Sequence, residues 1–440
     1  MQMQRIMIAV GLILVCGAST VARQPNLLVI VADDLGYADL GAYGGTEIPT
    51  PHIDSLARNG VRCTNAYVSG PYCSPTRAGL LTGRYQQRFG HEFNPGPPNE
   101  NNSHVGLSTR ELTIADRMRA AGYLTSLIGK WHLGYTDEFH PLNRGFQSFF
   151  GFLEGAHPYF PDRQGKRLLM RGHKEVAEST YLTSALAREA VQYVRDHHQE
   201  PFFLYLAFNA VHLPLQAPPE LVQRFESISN PRRRTYAAML AAMDEAIGNV
   251  LDQLRQSGIE DDTLIVFLSD NGGPAANASN NGPLRGHKAT TWEGGIRVPF
   301  IVQWKGTLPA SKVYDAPLIQ LDLLPTALAA AGEEATPDMK LDGVNLLPYL
   351  KGETDAVPHR HLYWRFGPQM AIRADNWKLV RGRGENKQLL FDLDRDPGER
   401  NDLAEQHPEK VVELRTLWNQ WNLELVKPAW NAPQAEPEVP

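Results

Sequence analysis

Short apolar runs alternate with longer amphipathic stretches along most of the chain. The runs at residues 26–32, 123–128, 202–208, 263–269 and 298–302 are dominated by aliphatic and aromatic residues, the pattern of parallel strands buried on both faces. Helical periodicity fills the spaces between them at 112–121, 180–198, 232–257 and 321–331, and the first of these follows the capping-box pattern Ser108-x-x-Glu111. Such alternation predicts an α/β fold, a large mostly parallel central sheet flanked by helices.

Beyond about residue 350 the pattern shortens. Runs at 361–366, 370–373, 377–380 and 388–393, separated by turns and followed by a helical stretch at 409–425, predict a smaller C-terminal subdomain of antiparallel sheet plus helix. The expected organisation is a signal peptide at 1–22, a main domain at 23–345, the α+β subdomain at 346–428 and a loose tail at 429–440. Two polar stretches containing glycine and proline, 86–106 and 134–171, exceed ordinary connections and are candidate pocket walls.

Composition narrows the class without changing it. With 42% hydrophobic and 21% charged residues, the chain is globular, and its formal net charge of -6 removes any general attraction to nucleic acid. Arg5, the apolar run from Ile6 to Val15 and Thr20-Val21-Ala22 form an export signal, so an exported protein, periplasmic or extracellular, is expected. That run is too short to span a bilayer, and Val15 is bulkier than a lipid-attachment motif at Cys16 wants. Of three cysteines, Cys16 leaves with the signal and Cys63 reads as a small buried hydrophobe, so no disulfide framework holds the core.

Chemistry concentrates at strand ends. The run at 26–32 leads into Asp33-Asp34, and that at 263–269 into Asp270-Asn271. If the two strands are parallel neighbours, four oxygen donors converge, a hard-cation site suited to calcium or magnesium rather than zinc. Either strand end alone would be an ordinary acidic turn or cap. A third feature is Cys73-Ser74-Pro75-Thr76-Arg77: Ser74 as N-cap with Pro75 at the first helical position would set Cys73 at a helix N-terminus, where backbone N–H groups favour an anion.

The string CSPTRAGLLTGR, residues 73–84, resembles the signature of type I sulfatases, whose C-x-P-x-R cysteine is oxidised to Cα-formylglycine by a maturation enzyme. The resemblance continues in family order through PNLLVIVADDLGYADLGAYGG, GKWHLG, FNAVHLPLQAP, LSDNGG, NGPLRGHKATTWEGGIRVP and LLFDLDRDPGERNDLA. It implies an alkaline phosphatase-like fold, with residues 23–345 as the catalytic domain, and is similar in kind to arylsulfatases and N-acetylgalactosamine-6-sulfatase-like carbohydrate sulfatases.

Carried over by position, the resemblance implies that Cys73, as formylglycine hydrate, is the nucleophile. One hydroxyl attacks sulfur and expels the alcohol; the other, once deprotonated, expels sulfate and restores the aldehyde. Asp33, Asp34, Asp270 and Asn271 would hold a calcium, ahead of magnesium, that also touches residue 73. Arg77 would hold the nucleophile and neutralise the carboxylates, Lys130 would contact sulfate, and His132 would be the base that regenerates the aldehyde. His212 and Lys288 would stand on the leaving-group side, with His212 the acid. In the region Gly155-Ala156-His157, His157 is a candidate substrate contact, as are Arg88, His91 and Asn94 in the long loop after the signature. His52 is read as packing, and Trp131, Trp292 and Trp304 as core or loop anchors.

The expected activity is hydrolysis of a sulfate monoester, on a sulfated carbohydrate, to alcohol and inorganic sulfate. The alternative is a phosphomonoester or phosphonate-ester hydrolase of the same superfamily; phosphate would bring extra negative charge and often a second metal, for which no further His/Asp cluster is visible. A sulfated-glycan binding protein without turnover would keep an unmodified Cys73.

Overall fold

The computed structural model describes residues 24–97, 99–161 and 168–431. The signal segment at 1–22, Cys16 and all but the start of the tail lie outside the described residues. Among the described residues no helix is long and apolar enough to cross a membrane.

The strand Asn26–Ala32 lies near the middle of a ten-stranded sheet, paired in parallel with Phe202–Ala207 on one side and Thr263–Ser269 on the other. Leu124–Lys130 and Ser148–Phe152 extend the parallel array. Alternate side chains of the first strand enter different layers. Leu28, Ile30 and Ala32 join one buried cluster with the helices Leu182–His197 and Pro231–Gln256, whereas Leu27, Val29 and Val31 join another with Cys73–Thr82, Ile114–Ala120 and Leu323–Ala330. A strand covered on both faces has no position for a polar side chain until it ends, so the first carboxylates appear at its tip.

The sheet is mixed rather than uniformly parallel. The expected strand at 298–302 begins at Phe300 and runs antiparallel to both its neighbours, because it returns directly from the loop that follows residue 270. The expected capping box at Ser108 and Glu111 is also displaced. Arg144 draws the Ser108 and Glu111 carbonyls into a turn, and Thr113 with Asp116 caps the helix instead. His52 follows the start of the helix Pro51–Asn59, where its backbone N–H donates to buried Asp244, in keeping with a packing role.

Four antiparallel strands, His361–Phe366, Gln369–Ala374, Trp377–Arg381 and Leu389–Asp392, form the smaller sheet. The helix Pro408–Leu423 packs on one face, and the other face meets Tyr67, Tyr85 and Trp292 of the main body. A buried charge group joins the two: Lys378 Nζ lies 2.8 Å from both Glu293 Oε1 and Glu399 Oε1, with all three side chains fully enclosed. Among the described residues, removing the lysine would leave buried Glu399 without a cation and Glu293 paired only with Arg297, at 3.5 Å, a loss of about 3–5 kcal/mol. Lys378→Ala is therefore expected to lower the thermal unfolding midpoint clearly in calorimetry; an unchanged midpoint would contradict the role of this group in joining the sheets.

Candidate active site

Strand register builds the site. Ala32 pairs with Ser269, so Asp33 and Asp270 leave adjacent parallel strands at the same level. On the opposite flank Val31 pairs with Ala207, which pairs with Gly129, and Lys130 arrives at that level too. Gly129 has φ +114, and a Cβ there would sit 1.9 Å from the Ala207 carbonyl oxygen, so only glycine lets the strand deliver Lys130. Asp34 (φ 64) and His132 (φ 61) also adopt the left-handed region that non-glycine residues avoid, as does Ala289 (φ 66) beside Lys288. Such strain collects where surrounding contacts fix a functional geometry.

The charges are buried and matched, three carboxylates to three cations. Arg77 Nε and Nη2 donate to Asp270 Oδ2 at 3.0 and 2.8 Å, and Nη2 lies 3.5 Å from Asp33 Oδ2. Lys130 Nζ donates to Asp33 Oδ2, and Lys288 Nζ lies 2.7 Å from Asp34 Oδ1. Burial pushes the Asp33 carboxyl up, but Lys130, His212 and Arg77 outweigh it and hold the group below its ordinary range. Asp34 behaves alike: burial raises it, and Lys288 with His212 outweighs this and holds it below its ordinary range. Lys288 is opposed by burial, yet Asp34, with Asp33 behind it, keeps its ammonium charged.

Cys73 opens the helix Cys73–Thr82, with Tyr72 as N-cap. This corrects the expected cap at Ser74: its hydroxyl donates to the His132 carbonyl and contacts His91 Nε2, both at 2.6 Å, while Asn94 Oδ1 accepts the Ser74 N–H at 3.0 Å. Cys73 Sγ stands 3.5 Å from Asp33 Oδ1 and 3.2 Å from Lys288 Nζ. Burial raises its thiol pKa well above the ordinary value, so an unmodified Cys73 is a poor thiolate.

A hard cation fits this donor set. Ligand atoms of Asp33, Asp34, Cys73 and His212 all lie within 4.8 Å of one another. Asn271 Nδ2 faces Asp34 Oδ1 at 2.7 Å, while its Oδ1 is buried with no hydrogen-bond partner among the described residues. Exchanging the amide's ends would bring that oxygen against the carboxylate, an arrangement a divalent cation would reward. Asp270 lies beside this group, its Oδ1 accepting the Asp34 N–H at 3.2 Å.

The remaining residues separate into cleft and scaffold. His132, His212 and Lys288 line a cavity of about 1700 Å³, whereas Arg77 and Lys130 are enclosed beneath it. His212 Nδ1 pairs with the Leu213 carbonyl at 2.7 Å, leaving Nε2 3.6 Å from Asp34 Oδ2. Burial, then Lys130 and Arg77, lowers the His132 pKa well below its usual value, and its Nδ1 has no partner among the described residues. His157 is not on the cleft wall: its ring stacks on Phe152 at 4.9 Å. Gly155 and Ala156 of that segment line the cleft, and Gly155 lies closest against the site, since a Cβ there would lie 2.5 Å from His132 Nε2. Arg88 is a strut, bound to Asp342 and Glu424, and His91 is buried against Ser74 and Trp430; Asn94 alone of the three lines the cleft. Trp131 and Trp292 are buried anchors, as expected.

A family model described as Sulfatase matches residues 25–333. The chain belongs to the sulfatase family. It is accordingly a sulfuric ester hydrolase, and a second model, N-sulphoglucosamine sulphohydrolase, C-terminal, matches residues 287–423 of this sulfatase. Arylsulfatase J of Mus musculus is 34% identical, with 91% of this chain and 76% of the relative covered. N-acetylgalactosamine-6-sulfatase of Homo sapiens is 31% identical, covering 88% and 83%. The crystal structure of Ps i-CgsB in complex with k-i-k-neocarrahexaose superposes with a TM-score of 0.89 at 38% identity, over 93% of this chain and 95% of that one. The PsFucS1 sulfatase from Pseudoalteromonas sp. gives 0.78 at 25% identity, over 91% and 90%. The mixed central sheet with its small antiparallel partner is the alkaline phosphatase-like architecture of these sulfatases.

One supporting residue had no sequence signal. Gln369, at the start of a strand in the smaller sheet, is buried; its Oε1 accepts the Thr291 N–H at 3.1 Å and its Nε2 donates to the Ala289 carbonyl at 2.9 Å. It clamps the loop that delivers Lys288. Gln369→Ala removes two buried hydrogen bonds of about 1 kcal/mol each. Turnover of an aryl sulfate is expected to fall severalfold in steady-state kinetics, with a smaller drop in the thermal midpoint than Lys378→Ala gives; unchanged turnover would show that Lys288 needs no such clamp.

Proposed function

We propose that this sulfatase removes sulfate from monoesters on a sulfated carbohydrate, with Cys73 converted to formylglycine as the nucleophile and calcium held by Asp33, Asp34, Asp270 and Asn271. The observation that carries the reading is the placement of Cys73 Sγ between Asp33 Oδ1, at 3.5 Å, and Lys288 Nζ, at 3.2 Å, at a helix start beside paired acidic strand tips. Carbohydrate is favoured by the names of the relatives and by a wide cleft with many polar side chains. The N-terminal signal pattern favours action outside the cytoplasm, after a maturation enzyme has modified Cys73.

Bound calcium would supply positive charge to the sulfate oxygens and to the attacking hydroxyl. The chain's own residues do the rest. Lys288 reaches into the cleft beside residue 73 and offers its ammonium to the sulfate. Lys130 and Arg77, from below, hold the Asp33 carboxyl below its ordinary range, and Arg77 also pairs with Asp270 in a dry environment. His132, held neutral by burial and neighbouring cations, accepts the proton that frees the second hydroxyl at residue 73. His212 presents Nε2 to the cleft as the group to protonate the departing alcohol; burial and Lys288 lower its pKa, while Asp34, Asp33 and a bound sulfate ester favour the proton that this role needs.

Peptide mapping across Tyr72 to Arg77, in protein made with a maturation enzyme, is expected to show the thiol-to-aldehyde mass deficit, and Cys73→Ala is expected to release no sulfate. Substantial residual hydrolysis in that variant would remove the nucleophile assignment. His212→Ala is expected to slow esters of poor leaving alcohols more than activated aryl sulfates, by roughly the 10²–10⁴ of a lost general acid. Equal losses on both, in parallel kcat measurements, would mean that another group protonates the leaving oxygen.

A further inference from the structure

The cleft is larger than one sulfated sugar requires. At about 1700 Å³ it exceeds the roughly 300–1,000 Å³ of common small-molecule sites. Its floor carries Lys288, His132 and His212, but one wall comes from the smaller sheet, where Arg381 and Arg383 both face the cavity. Neither arginine is neutralised. Arg381 donates through Nε and Nη2 to the Pro368 carbonyl, at 3.1 and 2.8 Å, and has no acid partner among the described residues. Arg383 is exposed and makes no hydrogen bond or ion pair among the described residues.

The nearest carboxylate in sequence, Glu385, lines the same cavity but is committed to another cation. It pairs at 3.1 Å with Arg285, whose guanidinium stacks 3.6 Å from the Trp292 ring centre. The segment bearing the arginines is also firmly seated. A Cβ at Gly382 would lie 2.4 Å from the Trp292 indole, so the backbone between the two arginines rests directly on a buried aromatic ring. Pro368, which holds Arg381, adjoins Gln369, which holds the Lys288 loop, so the wall and the reaction centre form one connected frame.

We propose that Arg381 and Arg383 form a second anion site in the cleft, binding a sulfate ester on a sugar that neighbours the one being desulfated. Guanidinium groups suit this task because their paired N–H donors match the oxygens of a sulfate, and neither Arg381 nor Arg383 is committed to a protein carboxylate. The substrate is thereby a multiply sulfated oligosaccharide rather than an isolated monosulfated sugar. This deepens the proposed carbohydrate reading and rests on it.

Calorimetric binding to the Cys73→Ala chain tests the site without turnover. The probes are a galacto-tetrasaccharide with one sulfate and the same tetrasaccharide with sulfates on two neighbouring residues. The disulfated probe is expected to bind at least tenfold more tightly, and Arg381→Gln/Arg383→Gln to reduce its affinity at least five times more than that of the monosulfated probe. Equal binding of both probes to the Cys73→Ala chain, or equal loss of both on substitution, would overturn the proposal. Sulfate release by the matured protein from the same probes is measured in parallel. A chain that prefers the disulfated probe yet releases no sulfate keeps the anion site and loses the carbohydrate-hydrolysis reading; release without an arginine-dependent preference does the reverse.

Discussion

Three carboxylates are buried at the tips of two adjacent parallel strands, and the rest of the site is organised by the need to offset them. An isolated buried carboxylate is so unfavourable that it would take up a proton rather than stay ionised. Asp33 and Asp34 are held below the ordinary carboxylate range, and Asp270 is paired at 2.8 Å, because Lys130, Lys288 and Arg77 come from three other segments to meet them. Each cation arrives by a different device: Arg77 from one turn into a helix, Lys130 from a strand end admitted by Gly129, and Lys288 from a loop clamped by Gln369 of the smaller sheet. The C-terminal sheet is thus part of the reaction centre's support rather than an appendage.

That constraint also separates the positive charges by purpose. Arg77 and Lys130 are enclosed and act on the carboxylates, so their influence on a substrate is through the field they maintain. Lys288 is partly exposed and close to Cys73, where it can serve both the acids and an incoming anion. A divalent cation would add to this balance and turn a neutral cluster into one that attracts a sulfate. The left-handed conformations of Asp34, His132 and Ala289 show where the backbone bends to bring these groups together.

Much of this was legible along the chain, for identifiable reasons. The strands at 26–32 and 263–269 are legible to the residue because burial on both faces imposes continuous apolar runs that end abruptly in acids. Cys73, Arg77, Lys130, His212 and Lys288 stood out through a motif resemblance, and the fold brings their side chains to one cluster. What could not be read depends on partners remote in sequence. The cap at Ser74 gave way because Asn94 and the His132 carbonyl compete for its polar groups. The direction of the strand at Phe300 is set by pairing, to which periodicity is blind. His157 draws notice in the sequence by its side chain, whereas Gly155 matters because it lacks one. Gln369, Arg381 and Arg383 carry no motif, since their effect arises only when the smaller sheet docks beside the Lys288 loop.

The claim that these acids exist to hold a hard cation is tested most directly by calorimetric titration of calcium into the metal-free matured chain and into Asp270→Ala. One calcium per chain, bound by the parent and bound far more weakly by the variant, is the predicted result. Calcium binding of equal strength in both, or none in the parent, would contradict it.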